Sequence, residues 1–352
     1  MRERVLALYE KWFLGRVAEI GIPRLLITAF VLTLLGVAYF YGMNLSFLLS
    51  DSLVRVGRNG ILVLALLPAV QGGLGLNFGL PVGVAAGLVG LLIPMEFDLG
   101  GWKCFVVATV LAALFGWLAG LAYGWLLNRV KGQEMMVGTY VGFSVVSGMC
   151  IFWLLAPFHN RKLIWPIGGQ GLRTTLPCTS GMSRFLDDAW RVKFGDFSIP
   201  TGLLLYFLVL CGLVALFFRT RAGLAIRAAG ENPLYAKACG ISEDRSRLLA
   251  AALSTMLAAV GIVAFSSSYG FVQLYLAPLM VAFPAVAALL IGGGSVNRAS
   301  VSHVLIGTLL FQTLLTIALP VANKVVSGDI SEVARVVVAN GMILYALTRG
   351  SR

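Results

Sequence analysis

The stretch CFVVATVLAALFGWLAGLAYGWLL, Cys104 to Leu127, contains no charged residue. A helix needs about 20 apolar residues to cross the hydrocarbon core of a bilayer, and this run is long enough. In water such a helix would have no polar face to present. The rest of the chain has the same character. Its 352 residues are 59% hydrophobic and only 12% charged, whereas a soluble domain carries about 25% charge. So little charge cannot cover a water-exposed surface, and lipid is the natural solvent.

Working outward from that run, the same length criterion gives about ten candidate spans. They are Leu25 to Tyr41, Asn59 to Gln71, Gly72 to Pro94, Cys104 to Leu127 and Met135 to Pro157, then Thr201 to Phe218, Leu248 to Ser268, Leu274 to Ile291, Ser300 to Leu319 and Val333 to Leu347. The expected fold is an all-α polytopic bundle over residues 25–352. Residues 158–200 form a long external loop in it, and residues 219–247 a cytoplasmic one. Residues 1–24 mix Arg, Lys and Glu with an apolar stripe. That pattern suits either a helix lying at the membrane interface or a plain charged tail, and not a cleavable signal peptide.

The charges orient the bundle. Arg129, Lys131, Arg219, Arg221, Arg227, Lys237, Arg245, Arg247 and Arg298 fall on one side together with the terminal basic residues. Positively charged short loops stay in the cytoplasm, which places both termini there. The net charge of +12 is therefore topological and not a nucleic-acid footprint. The five cysteines and two histidines have neither disulfide-framework nor metal-ligand spacing. No Asp or Glu falls inside the expected spans, which disfavours a proton-coupled carrier. Sodium coupling through carbonyls and hydroxyls stays open.

The loop RTRAGLAIRAAGENPLYAKACGISEDRSR, Arg219 to Arg247, is too polar to span and too patterned to lack structure. Asn232 suits an N-cap, Pro233 the first helical position, and Gly240 a left-handed C-terminal stop. About seven residues of helix, roughly 10 Å, fit between them. So short a helix needs a docking surface. Leu234, Tyr235 and Ala238 supply apolar contact, either to this chain or to a partner.

Residues 227–241, RAAGENPLYAKACGI, resemble the coupling segment of the ABC permease family that serves branched-chain amino acids, ribose-type sugars and nucleosides. GGLGLNFGLPVGVAAGLVG (Gly72 to Gly90) and FPAVAALLIGGGSVNRASVSHVLIGTLL (Phe283 to Leu310) resemble its glycine-rich spans. The resemblance implies a permease subunit of an importer in the plasma (inner) membrane of a prokaryote. Glu231, Asn232, Pro233, Leu234, Tyr235, Ala238 and Gly240 would then contact a cytoplasmic ABC ATPase. A second permease, identical or paralogous, and an extracytoplasmic solute-binding protein would complete the assembly. The GENP wording is closest to simple-sugar members. The stretch GLNFG lacks their acidic residue, and GQEMMVGTY (Gly132 to Tyr140) is closer to nucleoside members. A simple sugar is therefore the expected cargo, with nucleoside, riboflavin-like or branched-chain amino acid transport as alternatives. An ion-coupled secondary transporter is the rival from another class. No GxxxxGK[ST] loop occurs, so the chain lacks the usual phosphate cradle. It is expected to be no enzyme and to bind no cofactor, with ATP used by the partner.

Polar groups within apolar spans are candidates for the solute path: Gln71, Asn77, Gln312 and Asn340, with Phe78 as a stacking ring. Each amide would cost free energy facing lipid and should turn inward. There it could bind a solute or bridge helices. Glycines recurring every four residues, at 75, 79, 83 and 87 and at 116, 120 and 124, suit close helix packing. Pro81 is expected to break its span. His303 is expected to be structural.

Overall fold

The computed structural model describes residues 22–165, 171–178, 182–325 and 340–341, and these are mostly helical. The first half contains α1 (Ile22–Phe40), α2 (Leu45–Leu64), α3 (Leu66–Gln71), α4 (Leu80–Glu96), α5 (Gly101–Arg129) and α6 (Glu134–Leu155). A cap follows with β1 (Thr175–Pro177), α7 (Phe185–Asp188), β2 (Val192–Phe194) and β3 (Phe197–Ile199). The second half has α8 (Thr201–Phe217), α9 (Arg221–Glu231), α10 (Pro233–Ala238), α11 (Glu243–Tyr269), β4 (Phe271–Gln273), a 3-10 turn (Ala277–Met280), α12 (Ala282–Ile291) and α13 (Val301–Val325).

Helix α11 is the axis of the bundle, packing on α5, α4 and α2, while α13 packs on α2, α12 and α1. Small residues allow this. A methyl group on Gly120 would lie 2.6 Å from Ala252 Cα, and one on Gly87 2.5 Å from the Ala259 carbonyl oxygen. Gly83, Gly116 and Gly124 meet the same face of α11. These glycines therefore form the packing seams, in which van der Waals contact between backbones replaces the hydrophobic drive that lipid cannot supply.

Five helical segments are long and apolar enough to cross a membrane: Leu45–Gln71, Gly101–Arg129, Glu134–Leu155, Glu243–Tyr269 and Val301–Lys324. Helices α8 and α9, bent by 77° at their junction, make a sixth if counted as one span. Arg24–Phe40, Leu80–Glu96 and Ala277–Ile291 are apolar but shorter. Ten full-length spans are thus not seen among the described residues. Three boundaries differ from expectation for identifiable reasons. Helix α2 begins at Leu45 and not near Asn59, because Asn44 caps it by accepting from Phe47 N at 3.1 Å. Two of the charges inside it pair, Arg55 on Asp51 at 2.9 Å one turn away, and Arg58 lies over the Tyr269 ring. Pro81 starts α4 and does not break it, since its missing N–H costs nothing at a helix N-terminus. Leu274 to Ile291 is no single span. Pro278 and Pro284, with Tyr275 at φ +49°, divide it into a 3-10 turn and a short helix. The expected span Val333 to Leu347 apart from 340–341, and residues 1–21, lie outside the described residues.

Candidate functional site

The end of the bundle that carries residues 219–247 is built from short, well-capped pieces. Thr220 caps α9 through Gly223 N at 3.3 Å. Ile226 and Ala229 turn inward, and Gly230 sits against the Gln71 backbone. Asn232 then caps α10, its Oδ1 accepting from Tyr235 N at 3.0 Å. Gly240, at φ +78°, closes the helix by donating to the Lys237 carbonyl at 3.0 Å. The capping residues read from sequence are the ones in use. Of the helix itself only Ala236 is buried. Leu234 is 80% and Tyr235 65% exposed. Glu231, Asn232, Pro233, Ala238 and Gly240 are exposed too. The two large apolar side chains of α10, Leu234 and Tyr235, thus stand mostly in solvent.

Beneath α10 lies a chain of charge-assisted contacts. Lys237 Nζ lies 2.9 Å from Glu243 Oε2. Lys131 Nζ lies 2.9 Å from Glu243 Oε1 and 2.6 Å from Asp244 Oδ1. Its hydrogen bonds to Asp244 and Glu243 hold the Lys131 ammonium above its ordinary pKa. One turn further along α11, the buried Arg247 pairs with Glu134 at the start of α6. The same guanidinium donates to Asn128 Oδ1 at 3.2 Å and to the Gly73 carbonyl at 3.3 Å. Five hydrogen donors in a fixed fork let one arginine join several elements in this way. Here it ties α11 to the end of α5, the start of α6 and the irregular segment between α3 and α4. Arg247 was not among the candidates read from the sequence. Its signal was a cation near a helix N-terminus, where the helix dipole disfavours it unless it is paired.

The irregular segment 72–79 holds the next group of candidates. Gly73 and Gly75 take φ +71° and +72°, which turns the chain away from α3. Asn77 is 5% exposed, and both polar atoms of its amide are engaged. Nδ2 donates to Ser254 Oγ at 2.8 Å, and Oδ1 accepts from Gly79 N at 3.0 Å and Tyr123 OH at 3.0 Å. Asn77 thus bridges α5, α11 and the turn. Phe78 packs against Phe283, with ring centroids 5.5 Å apart. Gln71 donates to the Ala299 carbonyl at 2.9 Å and accepts from Arg227 Nε at 3.1 Å. It links the segment to α9 and to the loop before α13. Gln312 lies apart from this group, lining a cavity between α2, α11, α12 and α13. Asn340 is exposed on the short described piece 340–341, and the structure does not join it to the others. No group of His, Cys, Asp or Glu able to hold a metal occurs among the described residues.

A family model described as "Branched-chain amino acid transport system / permease component" matches residues 48–347. Among curated proteins, the chain is 27% identical to the "Autoinducer 2 import system permease protein LsrC" of Enterobacter sp. (strain 638), over 92% of this chain and 88% of that protein. It is 25% identical to the "High-affinity branched-chain amino acid transport system permease protein BraD" of Pseudomonas aeruginosa, over 52% of this chain and 74% of the other. For LivH of Escherichia coli (strain K12), a permease protein of the same description, identity is 24% over the same shares. No solved structure matches the chain. With 48–347 matched, and with α10 folded as the stretch RAAGENPLYAKACGI leads one to expect, the chain belongs to this family of ABC-transporter permeases.

Proposed function

We propose that this chain is the membrane-spanning subunit of an ABC importer, and that it moves a small polar solute of the simple-sugar class inward. The observation that carries the reading is α10. It is a sharply capped helix with two large apolar side chains in solvent, wired through Lys237 and Glu243 to the bundle interior. A helix of six residues does not hold its shape in water without support, and exposed Leu and Tyr on it want a groove. A cytoplasmic ATPase subunit provides that groove. Hydrolysis there moves α10, and Arg247 passes the movement to the segment around Gly73. The end with α10 faces the cytoplasm in the plasma membrane of a prokaryote, and both termini lie on that side. A solute-binding protein docks on the opposite end, which carries the 158–200 cap. A second permease subunit completes the path. The chain binds no cofactor and no ATP of its own.

Co-purification tests this directly. Leu234→Asp and Tyr235→Asp place a charge in the docking face without touching the bundle. Each is expected to lower ATPase retention at least tenfold while the permease still elutes as a single species. Unchanged retention in both variants would contradict the reading.

A further inference from the structure

The cavity that Gln312 lines has a volume of about 190 Å3 and lies toward the end of α11 that meets the 158–200 cap. That is below the ~300–1,000 Å3 of clefts for drug-sized ligands, so its occupant is small. Its walls are of two kinds. Phe265, Tyr269 and Phe271 form an aromatic side, and Asn59, Gln273 and Gln312 supply carboxamides. The aromatic side is held in place: Phe265 and Tyr269 stack with centroids 5.4 Å apart, and Phe271 meets Tyr269 edge-on at 4.5 Å. The Arg58 guanidinium lies 4.7 Å from the Tyr269 centroid and 5.4 Å from that of Phe265, and Arg58 is not itself in the lining.

Gln312 is the telling residue. It is 5% exposed, yet its carboxamide has no hydrogen-bond partner among the described residues. A carboxamide that lines a cavity and has no protein partner is usually met by a ligand or an ordered water. Across the cavity, Asn59 spends its Nδ2 on the Arg55 carbonyl at 3.0 Å, which leaves Oδ1 as an acceptor. The site thus offers the donor-acceptor amide of Gln312, the acceptor of Asn59, a further carboxamide from the more exposed Gln273 and a flat apolar wall. No charged side chain lines it.

We infer that this cavity is an intramembrane binding site for a small, uncharged, polyhydroxylated ring. Hydroxyls bond to Gln312 and Asn59, and the C–H face of the ring lies on Phe265 and Tyr269. A zwitterionic amino acid fits poorly, because no carboxylate in the lining neutralises its ammonium group and no cation its carboxylate, and burying an unpaired charge is costly. The assignment rests on the importer reading above and names where its cargo pauses.

The test uses the permease assembled with its ATPase and binding protein in vesicles. They are offered a mixture of ribose, arabinose, xylose, galactose, leucine, isoleucine and valine, and imported species are identified by mass spectrometry. A neutral monosaccharide is expected to enter. Gln312→Met keeps shape but loses the hydrogen bonds, and should cut that uptake roughly tenfold. Phe265→Leu, as an independent variant, should do so too, with ATPase retention intact in both. Import of the amino acids in place of the sugars overturns the assignment. So does wild-type uptake by both variants, or import of no member of the mixture by a complex that retains its ATPase. Loss of ATPase retention by the unmodified chain would instead contradict the importer reading itself.

Discussion

Asp187 shows how the cap is fastened at the level of single residues. Its Oδ2 accepts from Ser268 Oγ at 2.8 Å, while Oδ1 is buried without a partner among the described residues. Burial pushes its pKa up, against the lowering influence of the Ser268 hydrogen bond and of the Arg58 and Arg184 charges. A carboxyl raised in the folded state destabilises that state above its folded pKa. The penalty disappears as pH falls through that value toward the unfolded value near ~3.9. The wild type is therefore expected to gain stability relative to Asp187→Asn as the medium is acidified from neutrality. Melting curves of both proteins in detergent across that range check this, and parallel curves would refute it.

Residues also differ in how plainly their roles could be read. Asn232 and Gly240 were legible because capping depends on a few neighbouring residues. Gln312 was legible as a polar group in an apolar span. The ring wall beside it was not, since Phe265, Tyr269 and Phe271 read as ordinary apolar residues until α11 and β4 fold against α2. Asn77 left two readings open, and its three hydrogen bonds place it among its own helices.

Among the elements, α5 and α11 were the easiest to foresee, because long uncharged runs leave a helix no other environment. The segments around 45–58 and 274–291 were harder. In the first, an Asn cap and paired charges extend a helix beyond its apolar part. In the second, prolines divide an apolar stretch whose composition alone suits a span. The connection among these elements rests on Arg247. Arg247→Gln leaves Glu134 largely buried without its cation, at a cost on the order of 3 kcal/mol. It also frees the Gly73 carbonyl. The expected phenotype is uncoupling, with ATP hydrolysed per solute imported rising several-fold. Parallel measurement of hydrolysis and uptake in vesicles decides the point, and an unchanged ratio would show that Arg247 serves stability alone.

For the whole molecule, the two regions proposed to carry function lie at opposite ends of α11. Glu243 and Arg247 begin it beside α10, while Phe265 and Tyr269 end it beside the cavity. The glycine seams along α4 and α5 let it sit tightly between its neighbours. A tightly packed rod of this kind moves as a unit and not by local bending. Coupling through α10 therefore requires that α10 touch an ATPase subunit. A photo-crosslinking amino acid placed at position 235 in the assembled transporter measures that contact. A crosslink to the ATPase subunit, lost when Leu234→Asp is added, is the expected result. Crosslinks confined to lipid or to this chain itself would contradict it.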